Sequence, residues 1–169
     1  MVKIFLIGMM GCGKSYWKQE LAKHFKTGGY DLDYIIETTE EKTIAEIFKE
    51  EGEASFRKTE AKLLRWFGEK KSFVLATGGG TPCFHQNMEW MNQQGITIWL
   101  DESVEVLVER LSAEKAHRPL LSQLVDDDAL AAFLSQKIAE RKPFYAKATI
   151  HLQGKDINLA NIKQVIKNA

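Results

Sequence analysis

One run of residues limits what this chain can fold into more than any other: Gly8-Met9-Met10-Gly11-Cys12-Gly13-Lys14-Ser15. It matches G-x-x-x-x-G-K-[ST], a loop that wraps phosphate and sits between a buried strand and a helix. Both neighbours are present in the sequence. Val2 to Ile7 is a short apolar run, read as a parallel strand. After Ser15 a helical period places Trp17, Leu21 and Phe25 on one face, with Lys18, Glu20 and Lys23 off it. The chemistry accounts for the spacing. Glycines let several backbone N–H groups point at one anion, and the helix adds the positive end of its dipole. Lys14 is placed to reach the β- and γ-phosphates, and the Ser15 hydroxyl to ligate Mg²⁺.

A chain of 169 residues predicts one domain with a core of its own. The formal net charge is zero, which argues against nucleic acid or an anionic membrane as partner. The two cysteines, Cys12 and Cys83, form no disulfide framework and suit a reducing cytoplasm. Cys12 lies where a thiolate is favoured, but a small residue in a tight loop is the preferred reading. The apolar run at residues 2–7 is too short for a signal segment, and no stretch is long enough to span a bilayer.

Strand and helix patterns alternate, which predicts an α/β fold around a parallel sheet. Strands are expected at 2–7, 29–33, 72–77, 96–100 and 148–152. Helices are expected at 14–26, 43–51, 53–69, 82–94, 103–114, 127–141 and 158–168. Thr43 and Glu46 form a capping box, Ser103 caps the helix after it, and Pro143 limits the helix that begins near 127.

Chemistry-bearing residues recur where strands end. Asp31 and Asp33 alternate at the end of the second strand, at the edge where an open parallel sheet binds its ligand. One carboxylate can serve Mg²⁺ through its water shell, and the other can accept a proton from an attacking hydroxyl. A plain polar turn is the alternative. Gly78-Gly79-Gly80 follows the third strand and lets backbone approach a ligand. Arg57 and Glu60 are three apart on a helix; by that spacing alone they make a surface ion pair of little value. The stretch from Ala113 to Asp128 is the least regular. Arg118 precedes a proline there and is either a lid arginine that closes on phosphate or a solvated one. The histidines at 24, 85, 117 and 151 have no metal-ligand spacing, and none is read as catalytic.

Taken together these motifs resemble the shikimate kinase family, small P-loop kinases of the nucleoside-monophosphate-kinase type. The resemblance covers nearly the whole chain. It rests on the P-loop, Asp31-Leu32-Asp33, Gly52-Glu53 with Phe56-Arg57 and Glu60, Gly78-Gly79-Gly80, Arg118-Pro119-Leu120-Leu121, and Arg141 four residues before Tyr145. It implies a five-stranded parallel sheet of order 2-3-1-4-5 with helices on both faces, a substrate-binding subdomain at about 34–60 and a lid at about 113–125. It implies that Gly11, Cys12, Gly13, Lys14, Ser15 and Tyr16 hold the phosphates of ATP. Ser15 and Asp31 would serve one Mg²⁺ ion. Asp33 would bind shikimate and act as base or orienting group. Arg57 and Arg141 would clamp its carboxylate, and the Gly78-Gly79-Gly80 turn would meet its ring. Arg118 would reach the phosphates, and Arg110 would lie near adenine. Lys14, Asp33 and Arg118 would be the catalytic set. The implied reaction moves the γ-phosphate of MgATP to the 3-hydroxyl of shikimate, in a cytoplasmic monomer with ATP and shikimate as its partners. The rivals are a related small-molecule kinase such as a gluconate kinase, and a nucleotide-binding module without catalysis. One departure is local: Tyr16-Trp17-Lys18 replaces the small residues usual after the P-loop serine, with Lys18 where glycine is usual.

Overall fold

The computed structural model describes residues 1–114, 121, 123, 124 and 126–169. Five parallel strands form one sheet: β1 (Lys3–Ile7), β2 (Gly29–Asp31), β3 (Phe73–Ala76), β4 (Ile96–Asp101) and β5 (Ile150–Gln153), in spatial order β2-β3-β1-β4-β5. This is the order the family resemblance implies. Residues 4–7 of β1 and all of β3 are buried without alternation, as expected for central strands covered on both faces by helices. Along β5 burial alternates, as expected at an edge.

The helices are α1 (Lys14–Phe25), α2 (Leu32–Glu40), α3 (Ile44–Trp66), α4 (Asn87–Gln94), α5 (Val104–Ser112), α6 (Asp127–Tyr145) and α7 (Leu159–Asn168). The capping box holds: Glu46 N donates to Thr43 Oγ1 at 3.1 Å and Thr43 N to Glu46 Oε2 at 2.8 Å. Ser103 caps α5. The helices expected at 43–51 and 53–69 meet across Gly52, whose φ of 83° breaks the α3 ladder.

Three local expectations are corrected. The second strand ends at Asp31, and Asp33 belongs to the first turn of α2. The β-branched residues of 35–39 weaken the helical signal of that segment; burial of Leu32 and Ile36 supplies what propensity lacks. No continuous helix runs over 82–94. A 3₁₀ turn at Thr81–Cys83 is followed by His85 and Gln86 at positive φ, and only then by α4. Finally, α6 continues through Pro143 to Tyr145. Its last turn is closed by Ala146 N to Lys142 O at 2.9 Å, and Tyr145 is fully buried, so tertiary anchoring carries the helix past the proline.

Candidate active site

The β1–α1 turn has the geometry that its glycines predict. Gly8, Gly11 and Gly13 all have positive φ, at 142°, 80° and 101°. A side chain at Gly8 would also collide with Leu100 O, 2.8 Å from the Cβ position. Lys14 Nζ folds back across the loop and donates to Gly8 O at 2.6 Å and Met9 O at 2.9 Å. Cys12 is buried, and its N–H donates to Met9 O at 3.2 Å; it fills a tight space, as a small residue should. Tyr16 is exposed and packs edge-on against Trp17, which in turn lies below Gly13. Arg110 of α5 reaches the same loop, donating to Gly11 O at 3.0 Å with Glu102 at 3.5 Å behind it.

Ser15 and Asp31 meet as expected: the Ser15 hydroxyl donates to the Asp31 carboxylate at 3.1 and 3.3 Å. These are hard oxygen donors, few in number, which fits Mg²⁺, an ion that keeps several of its waters. Sequence reasoning left one partner out. Lys18 Nζ lies 2.7 Å from Asp31 Oδ2, with its side chain only 13% exposed.

Across the sheet edge the Gly78-Gly79-Gly80 turn collects three charged side chains from three helices. A Cβ built on Gly78 would lie 3.0 Å from Asp33 Oδ1, one on Gly79 2.7 Å from Arg141 Nη1, and one on Gly80 2.5 Å from Arg57 Nη2. The glycines are required because these groups press against the backbone itself. They bring α2, α3 and α6 to one point.

The Arg57–Glu60 pair is the clearest reversal of a reading from spacing. Glu60 is completely buried and Arg57 nearly so, so this is no surface pair. Arg57 Nη1 donates to Glu60 Oε1 at 3.0 Å, and Thr81 Oγ1 donates to Glu60 Oε2 at 2.8 Å. Phe84 lies over the guanidinium at 4.2 Å and Phe56 at 5.0 Å. The 3₁₀ turn ends at Cys83 and Phe84 is extended, ahead of His85 and Gln86 at positive φ, and this leaves Phe84 there. Arg57 is thus held at Nη1 by the buried Glu60, more loosely at Nε and Nη2 by the exposed Glu53 at 3.4 Å, and on its faces by rings, a fixed fork suited to a substrate carboxylate.

Arg141 is held differently. Among the described residues it has no carboxylate partner; its Nη1 lies 3.3 Å from the Met9 sulfur, a weak acceptor. Tyr145, one turn on, donates its hydroxyl to Gly79 O. Burial pushes the Tyr145 phenol well above its usual range, although Arg141 opposes the shift. Burial also raises the Cys83 thiol, against the pull of Arg141 and Arg57.

Asp33 sits between the two halves. Its carboxyl is raised to about 6, first by burial and then by the charge of Glu60, with Asp31 and Glu37 adding and Lys14 opposing. It therefore holds protons far better than an ordinary aspartate while still ionised at neutral pH. Arg118, expected as the cation of the lid, lies outside the described residues, as does much of the stretch about 113–125. Among the described residues no group of histidine, cysteine and carboxylate side chains could hold a metal by itself. Met9, Lys18, Thr81 and Phe84 are the contacts that reading the sequence missed. Met9 fills an unspecified position of the phosphate loop, and Thr81 and Phe84 belong to no motif; the signals that a sequence could hint at are the large aromatic at 84 and the lysine at 18 where glycine is usual.

Comparison with known proteins agrees with this fold. The family model for shikimate kinase matches residues 10–169. A shikimate kinase of Bacteroides fragilis is 45% identical over 148 residues, 88% of this chain and 82% of that one. The crystal structure of the shikimate kinase from Bacteroides thetaiotaomicron superposes with a TM-score of 0.87 at 38% identity, covering 99% of this chain and 95% of that one. One from Acinetobacter baumannii in complex with shikimate gives 0.81 at 32% identity, covering 98% and 88%.

Proposed function

This chain belongs to the shikimate kinase family, and from that premise we propose how its residues divide the work. The enzyme is an ATP-dependent kinase that phosphorylates a hydroxyl of shikimate, a step in aromatic amino acid biosynthesis. The observation that carries the division of roles is the convergence of Asp33, Arg57 and Arg141 on Gly78-Gly79-Gly80, facing the phosphate loop across one sheet edge. A carboxylated, polyhydroxylated ring needs two cations, a carboxylate and backbone donors, and this turn assembles them. Gluconate would need the cations too, but the extent of identity to shikimate kinases sets that reading aside.

In the proposed mechanism Arg57 and Arg141 take the substrate carboxylate. Arg57 is pre-set by Glu60, and Arg141 exchanges a weak sulfur acceptor for a strong oxygen one. Asp33 then faces the 3-hydroxyl and accepts its proton, or orients it, as the oxygen attacks the γ-phosphorus. A carboxyl raised to about 6 suits that transfer at neutral pH. Gly11 to Tyr16 cradle the phosphates. Lys14 leaves the carbonyls of Gly8 and Met9 for phosphate oxygens and neutralises charge that builds during transfer. Arg118 adds a second cation, and Arg110 flanks the nucleotide. Ser15 and Asp31 would hold Mg²⁺, which would supply charge neutralisation on the phosphates. Most of the catalysis is then positioning and electrostatics.

The remaining expectations belong to the same proposal: one domain, with residues about 34–60 as its substrate-binding part and about 113–125 as its lid, working as a cytoplasmic monomer. The free thiols of Cys12 and Cys83 suit that compartment, and no helix among the described residues is long and apolar enough to cross a membrane. Neither nucleic acid nor membrane is a partner in this reading. The test is ADP release in a coupled assay with shikimate, gluconate and nucleoside monophosphates offered separately, each with and without EDTA. Release with shikimate alone, abolished by EDTA, is expected. Activity undiminished in excess EDTA would remove Mg²⁺ from the scheme, and a preference for gluconate would overturn the substrate assignment.

A further inference from the structure

Lys18 lies one helical turn after Lys14 and three residues after Ser15, so all three share the face of α1 turned toward the sheet edge. Ser15 and Lys18 both bind one carboxylate. The hydroxyl is 3.1 Å and the ammonium 2.7 Å from the same oxygen, Asp31 Oδ2. The lysine stem is lodged rather than waving in solvent: its side chain is 13% exposed, and Lys18 Cγ lies 3.4 Å from the Cβ position of Gly29, in the strand that ends at Asp31. A side chain pinned along β2 cannot swing far from the carboxylate it meets. The pair is therefore a built feature of the metal corner, with one of the two Asp31 oxygens already engaged by a fixed positive charge.

We propose that Lys18 is a positioning residue that acts through Asp31: it holds the carboxylate beside Ser15 and, by lending it a positive charge, lowers the intrinsic affinity of this corner for a divalent cation. The inference rests on the assignment of Ser15 and Asp31 to Mg²⁺. A carboxylate already paired offers little net charge to a free ion, and a nearby ammonium repels one. A divalent ion is then retained only when nucleotide phosphates supply the missing negative charge. The metal enters with the nucleotide, not ahead of it. No step of phosphoryl transfer changes; what changes is the order and strength of metal loading.

Binding of Mn²⁺, a paramagnetic substitute for Mg²⁺, tests this by electron spin resonance of the free ion, with the protein alone and with saturating ADP. Lys18→Met keeps most of the stem and removes the charge; Lys18→Arg keeps the charge; Asp31→Asn removes the carboxylate. Circular dichroism verifies folding, and Lys18→Gln stands in if the methionine variant does not fold. Lys18→Met is expected to tighten Mn²⁺ in the ADP complex by about tenfold, the size of the repulsion between a single and a double charge a few ångströms apart in a watery site. It is also expected to give measurable binding without nucleotide, where the parent shows little. Lys18→Arg should stay near the parent. Asp31→Asn should weaken Mn²⁺ in the ADP complex. Unchanged or weaker binding by Lys18→Met, with Asp31→Asn clearly impaired, would overturn the role of Lys18 and leave the metal corner standing. No effect of Asp31→Asn would overturn the metal corner and, with it, the role given to Lys18.

Discussion

The proposed nucleotide half and the proposed substrate half of this site are built on opposite principles. The phosphate loop is made by residues 8–15 almost alone. Its glycines take positive φ, its lysine bonds to its own loop carbonyls, and α1 starts at once. The substrate half is made by residues that are strangers in sequence: Asp33 from α2, Arg57 and Glu60 from α3, the turn after β3, and Arg141 with Tyr145 from α6. The first half depends on backbone conformation, the second on burial. A backbone loop tolerates local change in its charged side chain without losing its shape. A cluster around a buried carboxylate does not, because removing one member leaves another charge unpaired in a dry place. Function and stability should therefore separate in the first half and fail together in the second wherever the buried Arg57–Glu60 pair is broken.

The largest expected effect lies in the loop. Lys14→Met should lower kcat by about 10³-fold, the upper range for removing one transition-state donor, while the melting temperature stays within a few degrees of the parent. The Lys14 side chain contributes two hydrogen bonds to carbonyls of its own loop, not packing to the core. Steady-state kinetics with thermal denaturation on the same preparation decide it. A variant with turnover within a few-fold of the parent would remove the role of Lys14, and one that melts far lower would break the contrast between the halves.

The substrate half should respond the other way. Glu60→Ala strips Arg57 of its buried partner and leaves Thr81 Oγ1 without its acceptor. The expected loss of stability is about 3 kcal/mol, within the range for breaking a buried ion pair, together with loss of the thermal upshift that shikimate gives the parent. Arg57→Ala and Arg141→Ala should each remove most of that upshift, which for a ligand at 100 times its Kd is about 2.7 kcal/mol. Of the two, Arg141→Ala should disturb the unliganded fold less, because Arg141 leaves no carboxylate behind among the described residues. Urea denaturation with and without shikimate measures both quantities, and equal destabilisation by the two arginine variants would show that the two arginines are held more alike than their contacts suggest.

The smallest effect is a dependence on pH at Asp33. In the folded protein its carboxyl keeps a proton up to about 6, against the usual 3.8. Between those values the folded state binds more protons than the unfolded one, so this group makes stability fall as pH rises through the window; above it the cost is constant. Asp33→Asn removes the cost. The variant should be more stable than the parent at pH 7 by at most about 3 kcal/mol, with the gap closing toward pH 4, and it should lose turnover. Denaturation at both pH values, in EDTA to keep divalent ions away, measures it. A variant less stable than the parent at pH 7 would show that hydrogen bonds made by the carboxylate outweigh its burial.

The sequence was enough for whatever depends on neighbours along the chain. The phosphate loop, five strands and their parallel alternation, the capping box at Thr43 and the Ser103 cap are all signals within a few residues, and each is present in the fold. The resemblance to a family added the strand order and the pairing of Arg57 with Arg141. Tertiary structure decided the rest. The segment 32–40 is helical because Leu32 and Ile36 are buried, against a weak local preference. The last turn of α6 passes Pro143 because Tyr145 is anchored on Gly79. Glu60 changes from an unremarkable helical acid to the buried support of Arg57 only once Thr81 and the β3 turn close over it. Lys18, one charged residue among many on α1, becomes the partner of Asp31 only when β2 is laid beside it. Hydrogen-bonded turns and periodic apolar faces are local and leave a pattern in the sequence, whereas the burial of a charge depends on which distant segments cover it, and that is settled when the chain packs.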